Sequence, residues 1–452
     1  MRPLLYLSVT LITLAAFENL AVTAVMPVIA RELDGVALYP LAMGLPLATH
    51  VAATSVAALW VDARSVRWPI VSGVGLFSAG LILAGVADNI LLLSLGRGVS
   101  GLGTGLIVVS LYAAVGSIVP PERRPGFFAA FSAAWVIPGL VGPMLAGYIA
   151  QLFSWRWVFL AVGIPCLLVL PFVNGFLARA TKGSTAREIN RDEIARRAKR
   201  TLLPALGVAI GVAVAQTSSA SRTTLPFVAL ALVMVFALLP TLLPKGTFTL
   251  RPGVGPVVLS RMLANGVLIA VEAYFLLYLQ SERGWDPGPA GLVVTIGSVT
   301  WALGSFVQTR MLDTGTRIRA ARTGAVLVTI GALFALTITI DRLPAWIPIA
   351  GWALAGFGMG LMYSIMAVLA LEYTPKERHG EISGSLQIAD SAGAAIGLSL
   401  FGAVMVGFAG TSVNPFMAGF AMMAGFALLS VISVGRVPNL TGPDLTPDDA
   451  NR

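Results

Sequence analysis

Apolar runs near twenty residues long recur along this whole sequence, and that is the length a helix needs to cross a hydrocarbon layer of roughly 30 Å. Of the 452 residues, 57% are hydrophobic and only 11% are charged. A soluble domain carries about 25% charged residues, so most of this surface cannot face water. The expected class is an all-α membrane protein. Spans are predicted over 4–30, 38–60, 68–87, 90–118, 126–152, 156–178, 202–218, 225–243, 256–280, 288–309, 322–340, 345–371, 382–408 and 412–436. The seventh and eighth are short, and their junction carries Gln216, Ser218 and Ser219. Residues 1–16 have the look of a signal peptide. The run continues through Glu18 and Asn19 to Ala30 without a cleavage site, which predicts a retained first span.

The net charge of +9 is distributed unevenly. With the N-terminus inside, the inner loops collect Arg64 and Arg67, then Arg123 and Arg124, the run from Arg179 to Arg200, the group Arg310, Arg317, Arg319 and Arg322, and finally Lys376 and Arg378. The outer loops hold only isolated cases, Arg31, Arg156, Arg222, Arg283 and Arg342. This is the positive-inside asymmetry, and it accounts for the basic balance without nucleic acid. It predicts a multi-pass protein of a bacterial-type inner membrane with both termini cytoplasmic. The single cysteine, Cys166, excludes an internal disulfide, and two histidines are too few for a histidine-rich metal site, so no cofactor is expected.

The most informative pattern is an internal repeat. At an offset of 255, SGLGTGL (100–106) lies on AGFGMGL (355–361), so that Gly96, Gly101, Gly103 and Gly105 fall on Gly351, Gly356, Gly358 and Gly360. The register also places Pro120, Glu122 and Arg123 on Pro375, Glu377 and Arg378, and Gly142 and Gly147 on Gly397 and Gly402. Glycine coincidences are cheap in a chain with 48 glycines, but a matching charged loop is not. Parallel repeats of this kind describe two six-span halves around a midplane site. The expected organisation is an N-terminal six-span bundle over 1–178, a basic linker over 179–201, a two-span insert over 202–244, a C-terminal six-span bundle over 245–436 and a disordered tail over 437–452. The linker's AREINRDEIARRAKR mixes both signs at helical spacing and reads as a solvated helix near anionic headgroups.

A carboxylate near the bilayer centre costs about 2.5–3.5 kcal/mol on insertion scales, so it needs a reason. Glu18 sits near the middle of span 1, and a shift of 254 puts it on Glu272 of span 9, as though the two acids were related by the repeat. Either reads as a reversible proton carrier or as a structural hydrogen-bonding group. Asp390 lies nearer the inner end of span 13 and reads equally both ways. Arg97 of span 4 either snorkels outward or pairs with a carboxylate and competes with its proton. Arg261, close to the inner surface, reads as a snorkelling residue. Asn19 and His50 are candidates for a cavity wall, His50 as a packed polar residue or a relay. Gly101 and Gly105 let span 4 approach a neighbour closely. In span 5, Gly139, Pro143 and Gly147 share one face, with Gly142 and Ala146 beside it, which suits a helix that bends, slides or simply packs tightly.

At these residues the chain resembles the major facilitator superfamily, specifically its fourteen-span drug:proton antiporters. ENLAVTAVMP (18–27) resembles the span-1 acidic motif, with glutamate where aspartate is usual. RGVSGLGTG (97–105) resembles the span-4 motif of arginine followed by glycines, and PGLVGPMLAG, from Pro138 to Gly147, the span-5 antiporter motif with Ala146 in place of a glycine. WRWVFL (155–160) and YLQSERGWDPGPAG (278–291) are further family-like signatures. The loop after span 2 departs from the family: Ala58, Asp62, Ala63, Ser65 and Arg67 keep only the aspartate and one arginine of a motif that is thought to latch the outward-open state.

The resemblance implies a major-facilitator-like fold of two six-helix bundles with two inserted spans, and proton-driven export by alternating access. Its partners would be the lipid bilayer, a hydrophobic or amphipathic small molecule and protons, with the chain acting as a monomer. No P-loop of the form GxxxxGK followed by Ser or Thr occurs, so an ATPase is not expected. An exporter of an endogenous lipid or secondary metabolite is the alternative cargo reading. A membrane-embedded transferase would need a clustered nucleophile or base, which two scattered histidines do not supply, and a non-transporting scaffold has no use for midplane acids.

Overall fold

A computed structural model describes residues 2–63, 66–120, 123–180, 191–218, 221–311, 313–375 and 378–438. Arg64, Glu122, Lys376 and Glu377 of the predicted inner loops therefore lie outside the described residues, as do residues 181–190 of the linker and 439–452 of the tail. Fourteen helices carry the described chain: α1 (Arg2–Glu32), α2 (Tyr39–Ala63), α3 (Arg67–Gly85), α4 (Ile90–Ile118), α5 (Arg124–Leu152), α6 (Arg156–Ala180), α7 (Arg191–Ser218), α8 (Leu225–Leu238), α9 (Val254–Ser281), α10 (Pro287–Gln308), α11 (Thr314–Leu336), α12 (Trp346–Glu372), α13 (His379–Phe408) and α14 (Pro415–Gly435). Fourteen segments are long and apolar enough to span a membrane, the eighth, Arg222–Thr241, only when the 3-10 turns flanking α8 are included. Helix is the form such runs must take, because lipid offers no partner for an open backbone N–H or C=O.

Two helices depart from their expected bounds. The helix of span 7 already includes Arg191, inside the polar stretch, and α11 begins at Thr314 rather than 322. In the second case Asp313 caps the helix, accepting from the Thr316 N–H at 2.8 Å, so the start is set by a polar cap ahead of the apolar run. Asn89 and Asn414 cap α4 and α14 in the same way. The apolar segment of span 8 is made of the short α8 with a 3-10 turn at each end.

The chain divides into two compact units, one of residues 1–213 and 284–292, the other of 214–283 and 293–452. In the first, α4 packs on α2 and α3, α1 on α5, and α3 on α6. In the second, α12 packs on α11, α9 on α13, and α11 on α14. Three of these pairings recur under the repeat, α3–α4 as α11–α12, α1–α5 as α9–α13 and α3–α6 as α11–α14, and the glycines show the register. A Cβ at Gly101 would strike the Pro46 carbonyl and Thr49 hydroxyl of α2; one at Gly356 would strike the Gly297 carbonyl and Thr300 hydroxyl of α10. Gly103 and Gly358 stand likewise against Gly73 of α3 and Gly324 of α11. The helices approach so closely that a methyl group would not fit. In the first unit the Thr49 hydroxyl donates across this seam to the Gly98 carbonyl at 2.8 Å.

The inserted spans dock on α13 of the second unit. Ala215 of α7 with Val228 and Ala231 of α8 form a small apolar core that also takes Ala403 of α13. Arg222, between the two spans, donates to the Val406, Gly407 and Ala409 carbonyls at the end of α13, satisfying acceptors that a helix terminus leaves open.

Candidate functional site

In the first unit α1 and α4 bring Glu18 and Arg97 together. Both side chains are buried, and Arg97 Nη2 lies 3.5 Å from Glu18 Oε1. That is an ion pair without a close hydrogen bond: Glu18 Oε1 and Arg97 Nε are both buried with no hydrogen-bond partner among the described residues. Arg97 Nη1 is held elsewhere, donating to the Ala42 carbonyl of α2 at 2.7 Å. The arginine is thus anchored by α2 while its charge faces Glu18, and it does not snorkel. Asn19 of α1, next to Glu18 in sequence, and His50 of α2 are half-buried, with no side-chain hydrogen bond among the described residues. Their backbone carbonyls accept from Thr23 at 3.2 Å and Thr54 at 2.8 Å.

The second unit builds a different polar site from α9, α12 and α13. Arg261 meets Asp390 in a fork: Nε donates to Oδ1 at 2.9 Å and Nη2 to Oδ2 at 2.6 Å. The Tyr363 hydroxyl donates to the same Oδ2 at 2.7 Å, and the guanidinium lies over the Tyr363 ring, 3.8 Å from its centroid. Asn265 Nδ2 donates to the Asp390 backbone carbonyl at 2.9 Å. Arg261 is 6% exposed and Asp390 also 6%, so the expectation that Arg261 snorkels is overturned. A carboxylate one helix away supplies what the headgroup region would otherwise supply. The sequence signal for this pairing existed, because one arginine and one aspartate inside apolar spans have strong reason to meet. Tyr363 and Asn265 carried no such signal.

Glu272, eleven residues beyond Arg261 along α9, is half-buried and makes no hydrogen bond or ion pair among the described residues. Its supposed equivalence with Glu18 does not hold. Gly142 of α5 faces Phe17 and Ala21 of α1, while its repeat mate Gly397 of α13 faces Gly266 and Ala270 of α9. The contact register between α1 and α9 is therefore 249, the same offset that relates their last residues, Glu32 and Ser281. Glu18 corresponds to Val267, and Glu272 lies about five residues further along, roughly 7.5 Å of helix. Loop lengths differ between the halves, so an ungapped shift taken from α4 does not carry over to α1.

Several of the remaining candidates lie at close contacts between helices. Pro143 and Gly147 of α5 face the first turns of α10: a Cβ on Gly147 would strike the Pro287 carbonyl, and one on Gly291 the Pro143 carbonyl. Gly142, on the neighbouring face, turns to α1, and Pro138 and Gly139 are buried a turn earlier. Gly105 meets Ala53 and the His50 carbonyl of α2. Arg67, the first residue of α3, donates through Nε and Nη2 to Asn174 Oδ1 of α6 at 3.0 and 2.8 Å. Asp62 is in the last turn of α2, and its side chain lies outside the described residues. The WRWVFL signature ties helix ends together. Trp155 Nε1 donates to Glu32 at the end of α1 at 2.7 Å, and Arg156 donates to the Ala87 and Gly85 carbonyls after α3.

Comparison with known proteins agrees with this architecture. A family model described as Major Facilitator Superfamily matches residues 7–271 and 257–448. The multidrug transporter protein MdtP of Bacillus subtilis is 24% identical over 403 residues, 86% of this chain and 73% of that one. The multidrug efflux pump SdrM of Staphylococcus aureus is 22% identical over 444 residues, 93% of this chain and 94% of that one. The partially occluded inward open structure of the xylose transporter XylE from E. coli shares the fold, with a TM-score of 0.65 at 16% identity over 98% of this chain and 99% of that one. The fourteen spans and the drug-transporter relatives accord with the fourteen-span branch that the motifs resemble, and the molecule is a membrane transporter rather than an enzyme. Matched by the family model through both of its halves, the chain belongs to the major facilitator superfamily.

Proposed function

We propose that the chain exports hydrophobic or amphipathic small molecules across a bacterial-type inner membrane in exchange for protons, by alternating access, as a multidrug efflux transporter. The observation that carries this reading is the loose pair of Glu18 and Arg97, buried at 3.5 Å with the facing acid oxygen making no hydrogen bond among the described residues. A carboxylate held in this way can exchange one neutralising partner for another. When Arg97 approaches, the charge of Glu18 is answered; when a proton binds, Arg97 is released to the Ala42 carbonyl alone. Substrate entry and proton uptake then compete for the same acid. Glu272, without a fixed partner, is the second candidate carrier. Asp390, gripped by Arg261 and Tyr363, is the least free to exchange of the three.

The relatives named as a multidrug transporter and a multidrug efflux pump support the cargo class. A proton moving inward gains about 2.3 kcal/mol per 100 mV of membrane potential, enough to drive export without a nucleotide. The test is efflux of ethidium under an imposed pH gradient in everted vesicles, comparing the parent with Glu18→Gln and Glu272→Gln. Loss of gradient-driven efflux in Glu18→Gln, with energy-independent equilibration kept, is the expected result. If both variants pump as well as the parent, neither acid is a proton carrier and the reading fails.

A further inference from the structure

The two-span insert has no counterpart in the repeat, yet its second helix closes the side of a cavity. In the second unit a space of about 220 Å³ is bounded by α8, the segment 239–253 that follows it, α9, α13 and α14. Its lining is hydrocarbon, with Phe236 and Phe248 on one side and Leu263, Leu400, Leu429 and Ile432 among the others. Apolar cavities of about 150 Å³ stay dry and accept apolar guests, so this one has room for such a guest and no attraction for water. Phe236, Phe248, Leu429 and Ile432 line it and are also 37–53% exposed, so it opens on the flank of the unit, where a spanning helix meets lipid.

Its dimensions match one leaflet. Along α14 the lining runs from Met423 to Ile432, about 14 Å at 1.5 Å per residue, against roughly 15 Å of hydrocarbon in half a bilayer. Its lower end lies at the membrane edge, since Ile432 is in the last turn of α14 and Leu259 is near the start of α9. At that edge the segment contributing Phe248 and Leu250 also carries Lys245 and Arg251. Both are exposed and neither has an ion-pair partner among the described residues. Arg436, just past α14, is exposed on the same side. Leu250 holds a φ of 52°, a left-handed conformation seldom adopted by a branched residue, which fixes the segment between the cavity and its cations.

We infer that this cavity holds one acyl chain of an anionic phospholipid from the leaflet on the side of the chain termini, with the headgroup phosphate on Lys245 and Arg251. Hydrocarbon walls select the chain, and unpaired cations at the edge select the headgroup. The insert would then serve as the outer wall of a lipid site, a role independent of proton coupling.

The test uses the full-length protein reconstituted in nanodiscs of phosphatidylglycerol or phosphatidylcholine, extracted into mild detergent and weighed by native mass spectrometry. One retained phosphatidylglycerol per chain is expected, at least tenfold over phosphatidylcholine. Leu263→Trp and, separately, Leu400→Phe fill the cavity and should abolish retention of either lipid. Lys245→Gln with Arg251→Gln should remove the headgroup preference. Monodisperse elution and an unchanged melting temperature identify the filled variants that fold. Equal retention of both lipids by the parent, no retention by the parent, or an undiminished phosphatidylglycerol adduct in a folded filled variant would overturn the inference. So would one-for-one displacement of the lipid by ethidium, which would make the cavity a cargo site. The readout needs no transport, so its failure and the failure of proton-driven efflux are separately visible.

Discussion

Both units bury an arginine beside a carboxylate, and the two arrangements differ in almost every respect that matters physically. Arg261 and Asp390 form a fork with hydrogen bonds of 2.6–2.9 Å, and a tyrosine hydroxyl and an asparagine amide complete the shell. Arg97 and Glu18 stand 3.5 Å apart, with buried polar atoms on both sides left without hydrogen bonds. A buried charge whose hydrogen-bonding capacity is filled is fixed in one state, because any change leaves several groups unanswered at once. A buried pair with open valences has little to lose by exchanging partners, and such open groups in a native structure call for a functional explanation. The same residue types thus form a staple in one unit and, under the proposed function, a switch in the other.

The largest expected effect tests the staple. Asp390→Ala should cost about 3–5 kcal/mol of stability by stranding Arg261, read as a fall in the melting temperature of the purified protein. Arg261→Met combined with Asp390→Leu should recover most of it. A fully stable Asp390→Ala would remove the contrast between the two sites. Tyr363→Phe keeps the ring under the guanidinium and removes only the hydroxyl, so a loss of about 1.5–3 kcal/mol is expected, the range for a hydrogen bond to a charged group.

Next come the glycine seams, where the two units should behave alike. Gly101→Ala and Gly356→Ala each force a methyl group against a carbonyl of the adjacent helix and should each cost about 1–3 kcal/mol. A cost in one and none in the other would show that the packing repeat is not an energetic repeat. Glu18→Gln should reverse the pattern of Asp390→Ala: gradient-driven efflux falls roughly tenfold, equivalent to about 1.4 kcal/mol, while the melting temperature changes less than in Asp390→Ala. A collapse in stability instead would make Glu18 a staple as well.

The smallest effect is a surface control. Hydrogen bonds from the side chain and backbone of Thr316 hold the Asp313 carboxyl below its ordinary value. Its folded-state value is depressed, so its contribution is present above the unfolded value and lost as pH falls through the folded one. Asp313→Ala should therefore lower the melting temperature slightly at neutral pH and not at all in strong acid. An equal drop at both would mean that the cap acts through shape and not through charge.

Much of this was legible in the sequence, and the reasons can be traced residue by residue. Span 4 and span 12 could be aligned because Gly101, Gly103 and Gly105 are needed at fixed points of the same two seams in each half. The pairing of Arg97 with a carboxylate was legible as one of two choices, since an arginine at that depth either reaches water or finds an acid. The equivalence of Glu18 and Glu272 was misread because helix registers slip independently when loops change length. The burial of Arg261 was misread because proximity to the membrane edge says nothing about what stands on the next helix.

The sequence by itself determined that the chain spans a membrane, how many times it does so and that its halves are related. Hydrophobic length and recurring glycines are local properties, and lipid leaves helix as the only open choice. Tertiary structure alone decided which charges meet and how tightly. Whether Asp390 is clasped while Glu18 is left half-answered depends on side-chain distances across helices, and a change of a single ångström there separates a hydrogen bond from a bare ion pair. The apolar cavity beside α8 is of the same kind, since it exists only where α8 and the segment after it border a space walled by α9, α13 and α14.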